Sequence, residues 1–180
     1  MQSLLHCTCP HRPTIDGCGY IQAMGKMTDQ ESIKSSICRY LERHTTLSLA
    51  TCHNSQPWST DLFYANDGDC RLFFVSSNTT RHCQHIAANP HVSVSISGEV
   101  ADWVEIKGLQ LDGVAEVVPE PDRDLVIEMY LTKFPALKKL HKASEILSLF
   151  WESSFYQITP KWIRLIDNSK GFGHKDEIIF

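Results

Sequence analysis

The chain has 180 residues and a formal net charge of −4, with 42% hydrophobic and 21% charged residues. These values are typical of a soluble globular protein, so we expect one folded domain with one sizeable core. The negative charge and the lack of a basic block argue against nucleic acid as a partner. No apolar run approaches the roughly 20 residues that span a bilayer, and the N-terminus lacks a secretory signal. We therefore expect a cytoplasmic protein without a membrane partner.

The seven cysteines indicate a reducing compartment, because their number is odd and those inside predicted elements share no short repeated spacing. These are predicted to be buried free thiols: Cys38, Cys52, Cys70 and Cys83. The other three lie with two histidines in an N-terminal segment rich in Pro and Gly: Cys7, Cys9, Cys18, His6 and His11. A metal cluster is one interpretation of that segment, but it lacks the paired C-x-x-C spacing of strong zinc sites. We interpret residues 1–26 as an extension and 27–180 as the domain.

The first half of the domain predicts a helix followed by a β-meander. A capping-box pattern at residues 28–31 precedes apolar residues at helical spacing and predicts a helix over 29–43. Alternating and β-favouring segments separated by turn residues predict three antiparallel strands, over 46–51, 58–65 and 71–75. A short helix over 81–88 follows, closed by Asn89 and Pro90, and then a strand over 92–96.

The second half predicts further strands around two helices. Strands are predicted over 104–111 and 114–118, with Gly108 and Gly113 as bulge or bend points. A helix runs from a capping Asp122 to about Phe134, and a second centres on residues 137–151. A final strand pair is predicted over 155–159 and 162–166. About seven strands in hairpin order favour an α+β chain with an antiparallel β-barrel, which residues 45–118 should close or nearly close.

The segment from Ser76 to His82 carries the clearest chemical pattern. A strand ends there, hydroxyl residues follow, and a helix begins with Arg81 in its first turn. Free N–H groups at a helix start attract anions, and hydroxyls with an arginine add donors suited to phosphate. Ordinary N-capping by Thr79 or Thr80 beside a solvated Arg81 is the alternative interpretation.

The same segment resembles the FMN-binding split barrels related to pyridoxamine 5'-phosphate oxidase. The matching pattern is Phe74-Val75-Ser76, then Thr80-Arg81-His82, then a short helix ending Asn89-Pro90 and a strand of alternating apolar residues. The resemblance covers roughly residues 30 to 166. It implies a homodimeric split barrel that holds FMN, or another flavin or haem, in a groove between two subunits.

The resemblance also implies roles for individual residues. Arg81 and Thr80 would meet the FMN phosphate, with Ser76 and Ser77 near the ribityl chain or phosphate. The strand end at Val75 leads into this site. Four consecutive residues would pass along the isoalloxazine: Trp58, Ser59, Thr60 and Asp61. Across the dimer, one or more of three residues would face the cofactor of the other subunit: Lys107, Gln110 and Trp162.

Two features set the chain apart from the oxidases. His82 stands where they carry a second cation, which predicts weaker phosphate binding, and no substrate-binding arginine–histidine pair occurs near the C-terminus. Pyridoxamine phosphate is therefore not the expected substrate. The tail over residues 163–175 resembles that of a small uncharacterised bacterial subfamily with a D-N-x-x-G-F-G-x-K pattern.

Other candidate sites are weaker. Three histidines are expected in surface or capping roles rather than as metal ligands, so no metal is assigned: His82, His85 and His91. No catalytic side chain is assigned. Three functions stay open: a flavin-dependent oxidoreductase, a non-catalytic flavin or haem carrier or sensor, and a barrel whose cleft is empty.

Overall fold

A computed structural model of the protein describes residues 29–140 and 153–180. It has four α-helices in this part of the chain, α1 (Asp29–Arg43), α2 (Arg81–Ala88), α3 (Arg123–Lys133) and α4 (Pro135–Leu140). Its strands are β1 (Thr46–His53), β2 (Gln56–Asn66), β3 (Leu72–Ser76), β4 (His91–Ser97), β5 (Lys107–Val117), β6 (Ser154–Asp167) and β7 (Lys175–Ile179). The N-terminal extension and most of the predicted second helix lie outside the described residues.

The seven strands form one antiparallel sheet in the order β3-β2-β1-β4-β5-β6-β7, and β3 also pairs with β6. This last pairing curls the sheet back on itself, which confirms the predicted antiparallel split barrel with peripheral helices. Residues 45–118 do not close the barrel alone, because β6 supplies the pairing partner of both β3 and β5. That contact joins segments about 80 positions apart in the chain, which local sequence patterns do not report.

Two predicted strand pairs are each one long strand. The segments around Gly113 form the single strand β5. The register shifts between Asp112 and Gly113, so the irregularity predicted at Gly113 is confirmed, although the extra residue is Lys161 on β6. Gly108 pairs in regular register and is not a bulge. Pro160 lies opposite Gly113, and because a proline is tolerated at a bulge, β6 continues through it. The C-terminal residues add a further strand, β7, to β6.

Helix α1 covers the larger of two core clusters. Its apolar face buries Ile37, Tyr40 and Leu41 against the inward residues of the barrel. The Tyr40 hydroxyl lies 3.3 Å from the carbonyl oxygen of Ile96 and 3.0 Å from that of Lys107. Because these carbonyls belong to β4 and β5, the hydroxyl fixes the helix to the sheet.

Helix α3 covers a second cluster on the other side of the β2–β3 hairpin, around Phe73 and Phe155. Tyr130 donates to the carbonyl oxygens of Phe63 at 2.9 Å and Phe73 at 3.0 Å, which ties α3 to both strands of the hairpin. Asp122 precedes α3, as predicted, but its side chain makes no capping hydrogen bond. None of the helices in residues 29–140 and 153–180 is long and apolar enough to cross a membrane.

The bulge at Gly113 predicts a sharp sensitivity to substitution. A Cβ atom there would lie 2.5 Å from the carbonyl oxygen of Thr159 and 3.1 Å from the Ile158 side chain. Because the nearest group is backbone, we expect Gly113→Ala to lower the free energy of unfolding by about 1–3 kcal/mol in urea titration. Gly108→Ala in the same strand is the control, since its Cβ would meet its nearest atom at 3.5 Å. Equal midpoints for the two variants would contradict this account.

Candidate functional site

The junction between β3 and α2 has the geometry of an anion-binding helix start. Strand β3 ends at Ser76, and Thr80 occupies the N-cap position of α2 in extended conformation. The Thr80 side chain does not cap the helix, because its hydroxyl donates to the carbonyl oxygen of Ser77 at 2.8 Å. Capping by Thr80, one of the alternatives at this helix start, is therefore wrong. The first-turn N–H groups are not taken up by Thr80, and such groups favour a bound anion.

His82 turns inward and is buried, so the expected surface role is wrong. Its Nε2 lies 2.8 Å from the Ser76 hydroxyl and 3.2 Å from the Thr80 hydroxyl, and the two hydroxyls are 3.2 Å apart. These contacts join the end of β3 to the first turn of α2. The hydroxyls of Ser77 and Thr79, 2.8 Å apart, lie instead on the exposed side of the junction.

Cys83 belongs to the same buried polar cluster, as a free thiol of which 2% is exposed. Burial opposes its ionisation, but hydrogen bonds with His82, Thr80, Tyr156 and Ser76 outweigh burial and lower the pKa of Cys83 to about 7. Tyr156 reaches this cluster from β6. Sequence reasoning missed its contribution, because no local pattern places β6 beside α2.

Arg81 is exposed, but it is held in place by two neighbours. Its guanidinium carbon lies 4.5 Å from the centroid of the Trp58 ring, and its Nε donates to Nε2 of His85 at 3.4 Å. Burial, and then the Arg81 charge, lower the pKa of His85. A neutral His85 accepts a hydrogen bond from Arg81 at Nε2. Its Nδ1 can then donate a hydrogen bond to the Thr51 hydroxyl, which is 3.2 Å away. His85 is thus a buried positioning residue, not the predicted surface residue.

An open groove of about 680 Å³ lies beside this helix start. It is lined mainly by polar side chains from the β1–β2 hairpin and from α2: His53, Asn54, Gln56, Thr79, Arg81, Gln84 and His85. Its size is within the range of small-molecule sites. The signal that sequence reasoning overlooked is the spacing of Arg81 and His85, which places both on one face of α2.

The other predicted site residues lie elsewhere. Ser59, Gln110 and Trp162 line a groove of about 370 Å³ on the outer face of the sheet. Thr60 pairs with the buried Leu49 and therefore points to the inner face. Asp61 also faces outward, where it accepts a hydrogen bond from the Ser48 hydroxyl at 2.5 Å.

Two more predicted residues have structural partners. The Lys107 ammonium lies 2.6 Å from the buried carboxylate of Asp167, which ties the ends of β5 and β6 together. Val75 packs against the core cluster under α3. Within one chain, the predicted site residues therefore fall into two groups, one at the β3–α2 junction and one on the outer face of the sheet. We call them the junction group (Trp58, Ser76, Ser77, Thr80, Arg81 and His82) and the outer-face group (Ser59, Gln110 and Trp162).

Comparison with known proteins agrees with this fold. The sequence pattern of the pyridoxamine 5'-phosphate oxidase family matches residues 33–166. A UPF0306 protein from Photorhabdus laumondii is 30% identical over 142 residues, which cover 77% of this chain and 90% of that protein.

Two solved structures share the fold at low sequence identity. A heme binding protein from Mycobacterium smegmatis superposes with a TM-score of 0.64 at 18% identity, over 82% of this chain and 57% of that one. A FAD-binding protein from Mesorhizobium loti superposes with a TM-score of 0.56 at 20% identity, over 72% of this chain and 90% of that one. With its curled antiparallel sheet and a family match over most of its length, the chain belongs to the pyridoxamine 5'-phosphate oxidase family, as a relative of the UPF0306 proteins.

Proposed function

We propose that this protein binds FMN by its phosphate at the β3–α2 junction and acts as a flavin-dependent oxidoreductase. The observation that carries the proposal is the start of α2, where no Thr80 cap competes for the N–H groups and the first residue, Arg81, is restrained by Trp58. A phosphate at this point would gain the helix dipole, the N–H groups and a charge-assisted hydrogen bond together.

The residues present fit a phosphate, with one change from the expected set. Ser76 and Thr80 hold His82, so the exposed hydroxyls of Ser77 and Thr79 are better placed to add donors beside Arg81. Because His82 is buried in that cluster, it supplies no second exposed cation. We therefore expect phosphate affinity to depend on Arg81 to an unusual degree.

The chain's own residues bind and orient the cofactor in this proposal. Trp58 stacks on Arg81 and restrains the guanidinium. The backbone of the β2 segment from Trp58 to Asp61 would border the ring system, as the family resemblance implies. A bound flavin would itself supply the electron or hydride transfer, so no catalytic side chain is required.

The second candidate function is a carrier or sensor that binds flavin or haem without turnover. It is favoured by the shared fold with proteins described as heme binding and FAD-binding. His53 borders the groove beside α2 and offers an imidazole to an iron centre there. FMN remains the first choice, because the junction combines phosphate donors and an arginine.

We further propose that the cofactor lies between two copies of the chain. The outer face of the sheet carries small side chains at its centre, of which Ser48 is half-buried and the others are exposed: Ser48, Ala50, Ser59, Ser93 and Ser95. Small side chains let a second protein surface approach closely, and the outer-face group borders this area. In a two-fold dimer, Gln110 or Trp162 of one subunit could then complete a site begun at the other subunit's junction.

The first test is the small molecule that accompanies the purified protein. We expect the visible absorption of an oxidised flavin, a released mass equal to FMN, and bleaching on anaerobic addition of NADPH or NADH. A flavin that dithionite reduces but that neither NADPH nor NADH reduces would favour the carrier. A Soret band and no flavin would contradict the FMN proposal.

The second test removes the junction cation. We expect Arg81→Ala to weaken FMN binding about ten- to a hundredfold in fluorescence titration, because it deletes one charge-assisted contact. Arg81→Lys keeps the charge but loses the planar fork of the guanidinium, so its FMN affinity should fall between those of the native protein and Arg81→Ala. Arg39→Ala, on the exposed face of α1, is the control for a general loss of charge. Unchanged binding in Arg81→Ala would remove Arg81 from the site.

The third test concerns assembly. Light scattering at micromolar concentration should give twice the chain mass of 20.4 kDa. The interface of such a dimer should bury roughly 2,000 Å² or more in total. Ser95→Arg places a bulky charge on the outer face and should give a monomer with weakened FMN binding, whereas Ser35→Arg on the exposed side of α1 should stay dimeric. A monomeric native chain that binds FMN would show that one subunit builds the site.

A further inference from the structure

Helix α1 is fastened to the β2–β3 turn by two neighbouring contacts. The sulfur atoms of Cys38 on α1 and Cys70 in the turn are 3.2 Å apart, and both cysteines are free thiols. One helical turn earlier, the Lys34 ammonium lies 2.8 Å from the carboxylate of Asp69. The two thiols are therefore held face to face by a contact that does not depend on them.

The turn presents the Cys70 sulfur to the helix at a conformational cost. Cys70 has a φ of 62°, in the left-handed region that residues with a side chain rarely adopt. The Asp67 carboxylate stabilises this turn by accepting from the backbone N–H groups of Asp69 and Arg71, each at 2.9 Å. Its other oxygen lies 2.7 Å from Nε of Arg71. The surrounding structure thus over-determines the position of Cys70.

We propose that Cys38 and Cys70 form a disulfide when the protein meets hydrogen peroxide, so that the pair is a reversible oxidation site. The two sulfurs need to approach by only about 1.1 Å to reach a disulfide bond length of about 2.05 Å. This inference concerns a region separate from the proposed FMN site and does not rest on it.

The two cysteines differ in exposure, which assigns their roles. Cys38 is half-buried, whereas Cys70 is fully buried, so peroxide reaches Cys38 first. Burial also raises the pKa of the Cys70 thiol, which keeps it protonated until it reacts.

The reaction consumes one peroxide and two thiols. The Cys38 sulfur, after losing its proton to water, attacks one peroxide oxygen, and the O–O bond breaks to give a sulfenic acid and hydroxide, which takes up a proton. The Cys70 sulfur then attacks the Cys38 sulfur. The S–O bond breaks, an S–S bond forms, and the Cys70 proton leaves with the hydroxide as water. The two thiols are oxidised by two electrons and peroxide is reduced to two waters.

The disulfide would staple α1 to the turn that leads into β3. It closes the loop of residues 38–70, which holds β1, β2 and their hairpin, and so limits the freedom of the unfolded chain. We expect the oxidised protein to melt roughly 5–15 °C above the reduced protein.

The test uses the full chain treated with a small excess of hydrogen peroxide, then alkylated and digested with trypsin. We expect residues 35–39 linked to residues 44–71, with the loss of two hydrogens, and a raised Tm that dithiothreitol returns to the reduced value. The second peptide also contains Cys52, so Cys52→Ser is the matched control, in which only Cys70 can complete the link.

The outcomes separate cleanly. Cys38→Ser should lose both the linked peptide and the Tm shift, whereas Cys52→Ser should keep both. Loss of the link in Cys52→Ser, a link from Cys38 to an N-terminal cysteine, or irreversible oxidation of Cys38 without any link would overturn the proposal. If Cys38→Ser fails to fold, the dithiothreitol reversal in the native chain and the Cys52→Ser digest still decide it.

Discussion

The pairing of β3 with β6 is the constraint on which the rest of the structure depends. It joins Leu72–Ser76 to Ser154–Ile158 and turns an open sheet into a curled barrel. The last pair in this ladder is Ser76 with Ser154, so the chain leaves the sheet just before the junction. The directly paired rings of Phe74 and Tyr156 stack with centroids 5.0 Å apart. Barrel closure therefore also fixes the start of α2 against the core.

A buried polar cluster anchors the proposed site at this position. His82 and Cys83 point inward and are satisfied by Ser76, Thr80 and Tyr156, so the helix start is anchored by hydrogen bonds that face away from solvent. The groups that remain outside are the helix N–H groups, the exposed hydroxyls and Arg81. Buried polar groups are costly unless they are paired. A shift of α2 relative to β3 would break the pairs of the buried cluster, so the cluster fixes the position of the helix on the strand. Preorganisation of this kind lowers the cost of binding an anion.

The groove beside α2 and the groove of the outer-face group lie on different sides of the sheet. The junction group belongs to the end covered by α2, and the outer-face group belongs to the opposite surface, where serine and alanine side chains leave it open. The two groups face different sides of the sheet, and this is the physical reason for proposing that a second copy of the chain supplies one of them. The thiol pair of Cys38 and Cys70 lies at the opposite end of β3 from the junction, so oxidation there and binding at the junction can be measured independently.

The sequence by itself determined the local elements, the class of fold and the family. Helical spacing and the Asn89-Pro90 stop predicted α1 and α2 with the bounds that the structure has, and alternation located β1 to β4 to within a few residues. It also singled out the β3–α2 junction. Only the tertiary structure decided that β5 and β6 each run through their bulge, that the tail pairs as β7, and that His82 and His85 are buried. These outcomes depend on partners distant in the chain, such as Thr51 beside His85 and Cys38 beside Cys70. A pattern of neighbouring residues carries no information about such contacts.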